Sequence, residues 1–245
     1  NFWRAMRNTF LLSFYGLLFG FPVPILLALF FNEVKSNLLR SGLQVFTYLP
    51  KFMSTVIMTS LVIMLIRQGS SSTPPGIIAQ LLQSLGIISP ETAMRGILND
   101  PTYFRAIYQL SGIWETAGYS SIVFFAAIIA ISPTSYEAAQ IDGANKWAQM
   151  RYVVLPGILS TVVIMLITNI GSMLSIGYEK VILLNEGRLD TYMTSEVIST
   201  FAWRLKAEGQ SGMASAAEML NNVVGMLLVI GSNTIARKAS NVSLY

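Results

Sequence analysis

Five runs of this chain, residues 9–31, 46–66, 106–131, 152–176 and 213–235, are predominantly apolar and long enough to cross a bilayer. A hydrocarbon core of roughly 30 Å needs about 20 helical residues to span it. Lipid offers no partner to a free peptide group, so each run must close its hydrogen bonds internally, as a helix. The expectation is an all-α, polytopic helical membrane protein. Composition agrees: 53% of the 245 residues are hydrophobic and 11% are charged, against about 25% charged in a soluble domain. So little polar surface cannot cover a soluble fold of this size.

Within the first run, Gly16 and Gly20 permit close helix contact, and Pro22 and Pro24 should kink it or open it locally. Residues 32–51, with Glu33, Lys35, Arg40 and Lys51, read as a short polar connector. Residues 67–105 leave the membrane, beginning with a turn-rich break at 68–76. Ile77, Ile78, Leu81, Leu82 and Leu85 then form a one-sided stripe that ends at Gly86, the pattern of a short interfacial helix. Asp100 and Pro101 read as N-cap and first residue of the helix that becomes the third span. The polar stretch 177–212 leaves the membrane again and should hold a helix around 194–203. Because the chain begins at Asn1 without an initiator Met, native N-terminal residues are expected to precede it.

The formal net charge is +4, but the Lys and Arg residues are spread singly, which argues against nucleic acid and for membrane-edge cations. With no Cys and no His, disulfides, thiolate sites and the commonest general base are all excluded. An enzyme is not expected. With the 132–151 loop on the cytoplasmic side, that side carries Lys35, Arg40, Lys51, Lys146, Arg151, Arg237 and Lys238 on short segments holding three acids. The charge asymmetry favours this orientation mildly.

That loop is a polar island between the third and fourth runs. Ser132 and Pro133 make a good helix start, and Glu137, Ala138, Ala139 and Gln140 have high helix propensity. Gly143 permits a sharp bend, residues 145–151 can form a second short helix, and Leu155-Pro156 leads into the fourth run. Two short helices bent at a glycine make a rigid knob. Ala138 and Ala139 are small enough for a tight groove, and Glu137 can cap or pair with a cation of a partner. A plain loop with an incidental Ala pair is the alternative.

Glu137, Ala138, Ala139, Asp142, Gly143 and Ala144, followed by Leu155 and Pro156, resemble the EAA signature of permease subunits of binding-protein-dependent ABC importers. Trp147 stands where an aromatic residue is usual. Asn8-Thr9, Asn32-Glu33-Val34 and Tyr48-Leu49-Pro50 resemble the branch that imports oligosaccharides and polysaccharide fragments. The resemblance implies the type I importer permease fold over 1–245 as a single transmembrane domain, with 132–151 as the coupling-helix loop. It implies six spans, so that one N-terminal span is expected to be missing here. It further implies a second permease subunit (a heterodimer), two cytoplasmic ATPases that bind ATP and Mg, and an external solute-binding protein in a bacterial cell membrane. This chain has no GxxxxGK[ST] phosphate loop, and no cofactor or metal of its own is expected.

Polar side chains inside spans are costly and face cavities or partners. Three groups stand out: Trp114, Glu115 and Tyr119; Asn169, Ser172 and Met173; Glu218, Asn221 and Asn222. Their spacings mark faces, which suit either a sugar pathway or interhelical packing. The first two groups flank the signature, where the resemblance puts pathway residues; Glu218 is assigned to packing. A Glu115 carboxylate on the pathway would repel uronates, which points to a neutral sugar. Competing readings are another cargo (peptide, amino acid or ion), a secondary transporter or channel, for which no internal repeat is found, and, more distantly, an intramembrane enzyme.

Overall fold

The computed structural model describes residues 2–185 and 192–240, so residues 186–191 of the predicted polar stretch lie outside the described residues. No strand occurs among the described residues, which form fifteen helices. In chain order, α1 (Phe2–Tyr15) passes through a π turn (Gly16–Gly20) into α2 (Pro22–Glu33). There follow α3 (Asn37–Tyr48), α4 (Thr55–Ile66), α5 (Ile77–Ser84), α6 (Pro90–Arg95) and α7 (Pro101–Ile129). Next are α8 (Pro133–Ile141), α9 (Lys146–Gln149), a π turn (Met150–Val154), α10 (Leu155–Gly157) and α11 (Leu159–Ser172). The last are α12 (Tyr178–Asn185), α13 (Tyr192–Ser195), α14 (Ile198–Ala207) and α15 (Ser211–Ser240).

Three of the five expected spans are continuous helices: Phe2–Glu33, α7 and α15. In the first, Pro22 and Pro24 each lack the donor for a helical bond one turn back. The backbone answers with the π turn at Gly16–Gly20 rather than with a break. Asp100 acts as expected at the start of α7, its Oδ1 accepting from Thr102 N at 2.8 Å.

The other two spans correct the sequence reading. Residues 46–66 are not one helix: the segment divides into α3, a 3₁₀ turn at Leu49–Phe52 and α4. Pro50 cannot extend the α3 ladder, and Ser54 starts α4 afresh by accepting from Ile57 N. The expected polar connector 32–51 is therefore mostly the amphipathic helix α3, capped by Ser36. The fourth span is also broken, bending 58° between Lys146–Gly157 and Leu159–Ser172. Its helix stops at Ser172, short of residue 176. The predicted helix at 194–203 is two helices, α13 and α14.

The chain forms two compact units. The first collects the described parts of Asn1–Gly16, Phe52–Gly112 and Met173–Val224. Its core joins Leu12, Val62, Ile66, Ile97, Phe104, Leu184 and Val197. Beside it the Glu196 carboxylate, 1% exposed, is held by Arg4 at 2.6 Å and Arg204 at 2.5 Å. Asn8 donates to the Met193 and Glu196 carbonyls at 3.0 Å each and accepts from Arg105 at 3.1 Å. Thr9 Oγ1 accepts from Ile198 N at 2.9 Å. The Asn8-Thr9 pair thus ties α1 to α13, α14 and α7, and the buried carboxylate is tolerated because two guanidiniums neutralise it.

Between α11 and α12 the backbone is unwound, which lipid penalises unless side chains satisfy the freed groups. They do so here: Ser13 Oγ donates to the Met173 carbonyl, and Asn221 Nδ2 donates to the Leu174 carbonyl at 3.0 Å. Asn221 thus serves packing. So does Glu218, which pairs with Lys206 at 2.9 Å. Asn221→Ala should cost about 1–2 kcal/mol, read as a lower melting temperature of the solubilised transporter.

The second unit collects the described parts of Leu17–Lys51, Ile113–Ser172 and Gly225–Tyr245. Ala28, Leu29, Phe124, Ile128, Val154 and Ile158 form its core. Phe31 meets Tyr48 and Phe125 edge-on, with centroids 6.3 and 6.4 Å away. Two glycines allow close approach: a Cβ on Gly118 would lie 2.0 Å from the Thr47 carbonyl oxygen, so backbone meets backbone there, and one on Gly171 would lie 2.6 Å from the Val229 Cγ2 methyl.

Candidate coupling loop and pathway faces

The loop is built as a terminated helix followed by a restarted one. Pro133 supplies the first residue of α8, and the helix runs through Glu137, Ala138 and Ala139 to Ile141. Its end is a Schellman turn: Gly143 N donates to the Gln140 carbonyl at 3.0 Å and Ala144 N to the Ala139 carbonyl at 2.9 Å. That geometry needs a positive φ at Gly143, which is +77°. Asn145 then opens α9, its Oδ1 accepting from Ala148 N at 2.9 Å. Gln149 Nε2 reaches back to the Ala144 carbonyl at 2.9 Å, fixing the second helix on the turn. The spacing of the signature is therefore that of a helix, its glycine stop and a new N-cap.

What this scaffold presents is unusual for a polar loop. Ile141 is 86% exposed and Trp147 67% exposed, while Glu137, Ala138, Gln140 and Asp142 are also open and Ala139 and Ala144 are half-buried. A protruding surface of this kind, with an aromatic and an aliphatic anchor among small residues, has the chemistry of a protein-docking site. Sequence reasoning missed Ile141 and the exposed Tyr152; an apolar residue set between Gln140 and Asp142 was the available signal. Lys146 approaches Glu33 at 3.8 Å, linking α9 to the end of α2. Half-exposed, that pair is worth little energetically. Burial, and then the Glu33 charge, raise the Tyr136 pKa, so its phenol stays neutral.

The two candidate pathway faces lie on α7 and around the end of α11. Glu115 and Tyr119 share one face of α7, and Trp114 points about 100° away from Glu115 by helix geometry. Trp114 and Tyr119 are 46% and 45% exposed, with Glu115 half-buried. Asn169 and Ser172 are exposed on α11, where they bond their own helix: Asn169 donates to the Met165 carbonyl at 2.8 Å and Ser172 to that of Thr168 at 3.2 Å. Met173 falls in the unwound segment just beyond and is half-buried.

Comparison with known proteins places this architecture. The model of the family described as binding-protein-dependent transport system inner membrane component matches residues 20–177. The chain is 36% identical, over its whole length and 73% of the relative's, to the polygalacturonan/rhamnogalacturonan transport system permease protein YteP of Bacillus subtilis (strain 168). It also superposes on a chain of a bacterial ABC transporter involved in import of the acidic polysaccharide alginate. The TM-score is 0.85 at 40% identity, covering 97% of this chain and 79% of that one. A second structure, the alginate transporter in complex with an alginate pentasaccharide-bound periplasmic protein, gives a TM-score of 0.87 at 40% identity, covering 98% and 80%. Family match, a relative similar along the whole of this chain and the shared type I importer fold agree: the chain belongs to the binding-protein-dependent transport system inner membrane components, as the permease subunit of a bacterial ABC importer.

Proposed function

We propose that this permease forms half of an alternating-access pathway for an acidic oligosaccharide, driven through the 132–151 loop by separate ATPase subunits. The observation that carries the coupling role is the exposed Ala138, Ile141 and Trp147 surface held on the Gly143 turn. Each ATPase would receive one such knob in a cleft, with Glu137 at its edge, and would bind ATP and Mg itself. A second, different permease subunit completes the pathway, and an external solute-binding protein delivers the cargo. Trp114, Glu115, Tyr119, Asn169, Ser172 and Met173 are the pathway residues of this subunit, aromatics stacking on sugar rings and amide and hydroxyl groups reading their hydroxyls.

For the cargo, the substrates of the similar proteins, polygalacturonan/rhamnogalacturonan and alginate, speak for uronates rather than the neutral sugar expected from Glu115. A single carboxylate on α7 does not by itself set the sign of the whole pathway. In competition experiments on the complete transporter, unlabelled uronate oligomers should suppress uptake at least about tenfold better than neutral oligosaccharides of equal length, the size of one charge-assisted hydrogen bond. Preference for the neutral oligomer would overturn the assignment.

A further inference from the structure

The helices α12 and α14 carry two aromatic side chains that the packing of the first unit does not use. Val181 and Leu184 of α12, and Val197 at the start of α14, lie in the main core of that unit. Ala202 and Leu205 of α14 belong to a second, smaller core. Other long side chains of α14 are engaged internally: the Arg204 guanidinium lies over the Phe201 ring, 5.6 Å from its centroid, and holds Glu196, while Lys206 holds Glu218. Trp203 meets Tyr178 instead, with ring centroids 6.4 Å apart and planes within 18° of parallel. Both residues are 47% exposed. Rings in full face-to-face contact would lie about 3.5–4.0 Å apart, so these two form a stepped shelf with open faces. Among the described residues, neither the phenol nor the indole N–H has a hydrogen-bond partner.

The place of the shelf in the chain gives it a meaning. Tyr178 is the first residue of α12 and directly follows the unwound segment that begins at Met173. Residues 177–212 follow the fourth span on the external side, where cargo arrives. A pyranose presents a C–H face, which an aromatic ring accepts, and a rim of hydroxyls, which Tyr Oη and Trp Nε1 can bond. Two such rings, on helices fixed by buried cores, make a pre-organised surface. Its affinity comes from the ring faces and not from charge.

We propose that Tyr178 and Trp203 form an external subsite on which one pyranose ring of an oligosaccharide stacks before it enters the pathway. This rests on an oligosaccharide as cargo and not on the sign of its charge. The permease–ATPase complex, in detergent and without the binding protein, is titrated with galacturonate trimer and with cellotriose while tryptophan fluorescence is followed. Both sugars should give a saturable change that disappears in Trp203→Phe. Tyr178→Leu should weaken both titrations about threefold or more, whereas Tyr178→Phe should stay within about twofold. In proteoliposomes with the binding protein, Trp203→Leu should raise KM for uptake of the imported trimer about threefold or more, with kcat and binding-protein-stimulated ATP hydrolysis within about twofold. Trp203→Phe, which keeps a ring face, should lie near the wild type there. A fluorescence change that survives in Trp203→Phe, or titrations unmoved by Tyr178→Leu, overturns the subsite and leaves the pair as anchors at the membrane interface. Loss of stimulated ATP hydrolysis with unchanged titrations also overturns it and marks a contact for the binding protein. A wild type that imports neither acidic nor neutral oligosaccharides overturns the reading of the cargo itself.

Discussion

Gly143→Pro should abolish ATP-driven uptake, by about 100-fold or more, while leaving the permease inserted in the membrane. The residue sits at φ +77°, and proline is fixed near −65°. Proline also deletes the donor that bonds the Gln140 carbonyl at 3.0 Å. No atom lies within 4 Å of a Cβ built on Gly143, so the effect is one of backbone direction and not of crowding. The knob would leave α8 on a different course, and Trp147 would no longer stand where Ala138 and Ile141 need it. Gly143→Asn, which tolerates the left-handed region, should keep most of the transport. Glu137→Ala, which leaves the turn intact, should weaken ATPase association or uncouple hydrolysis from uptake to a smaller degree, about tenfold. Co-purification with the ATPase and uptake, measured together, check all three; full coupled uptake by Gly143→Pro would refute the role of the turn.

Gly118→Ala is expected to be the most damaging single methyl in the second unit. The added carbon would stand 2.0 Å from the Thr47 carbonyl oxygen and 2.5 Å from its carbon, so α3 and α7 would have to separate by more than an ångström. Overpacking against backbone costs about 3 kcal/mol or more, because no rotamer change can relieve it. Gly42 on the same α3 has nothing within 4 Å of an added Cβ, and Gly42→Ala should be neutral or slightly stabilising. Melting temperatures of the two purified variants give the comparison, with a large drop expected for Gly118→Ala alone. Equal stability of both would mean that α3 does not lie against α7 as described.

The spans were readable because hydropathy reports burial in lipid directly, and the coupling loop because Pro133, Gly143 and Asn145 each carry a local conformational instruction. What stayed hidden depends on partners distant in sequence. The break at Pro50–Ser54 lay inside an apolar run whose composition says nothing of direction, so α3 passed for a connector and a span start. Asn221 reads as a polar face on a span, yet its donor goes to the Leu174 carbonyl, a group freed by an unwound segment that the sequence placed inside the fourth span. Lys180 is one cation in a loop by sequence; only packing against Tyr108 and Gly112 puts it beside the third span.

The absence of native cysteine makes the most direct test a clean one. Ala138→Cys, exposed on α8, should cross-link to an ATPase subunit when the complete transporter is treated with a short reagent that joins a thiol to a neighbouring amine, with the yield changing between the nucleotide-free and ATP-bound states. Ser84→Cys, at the end of α5 on the opposite side of the proposed topology, should give no such adduct. An ATPase adduct from Ala138→Cys alone is the result this account predicts; an adduct from Ser84→Cys and none from Ala138→Cys, in a transporter that still imports, would contradict it.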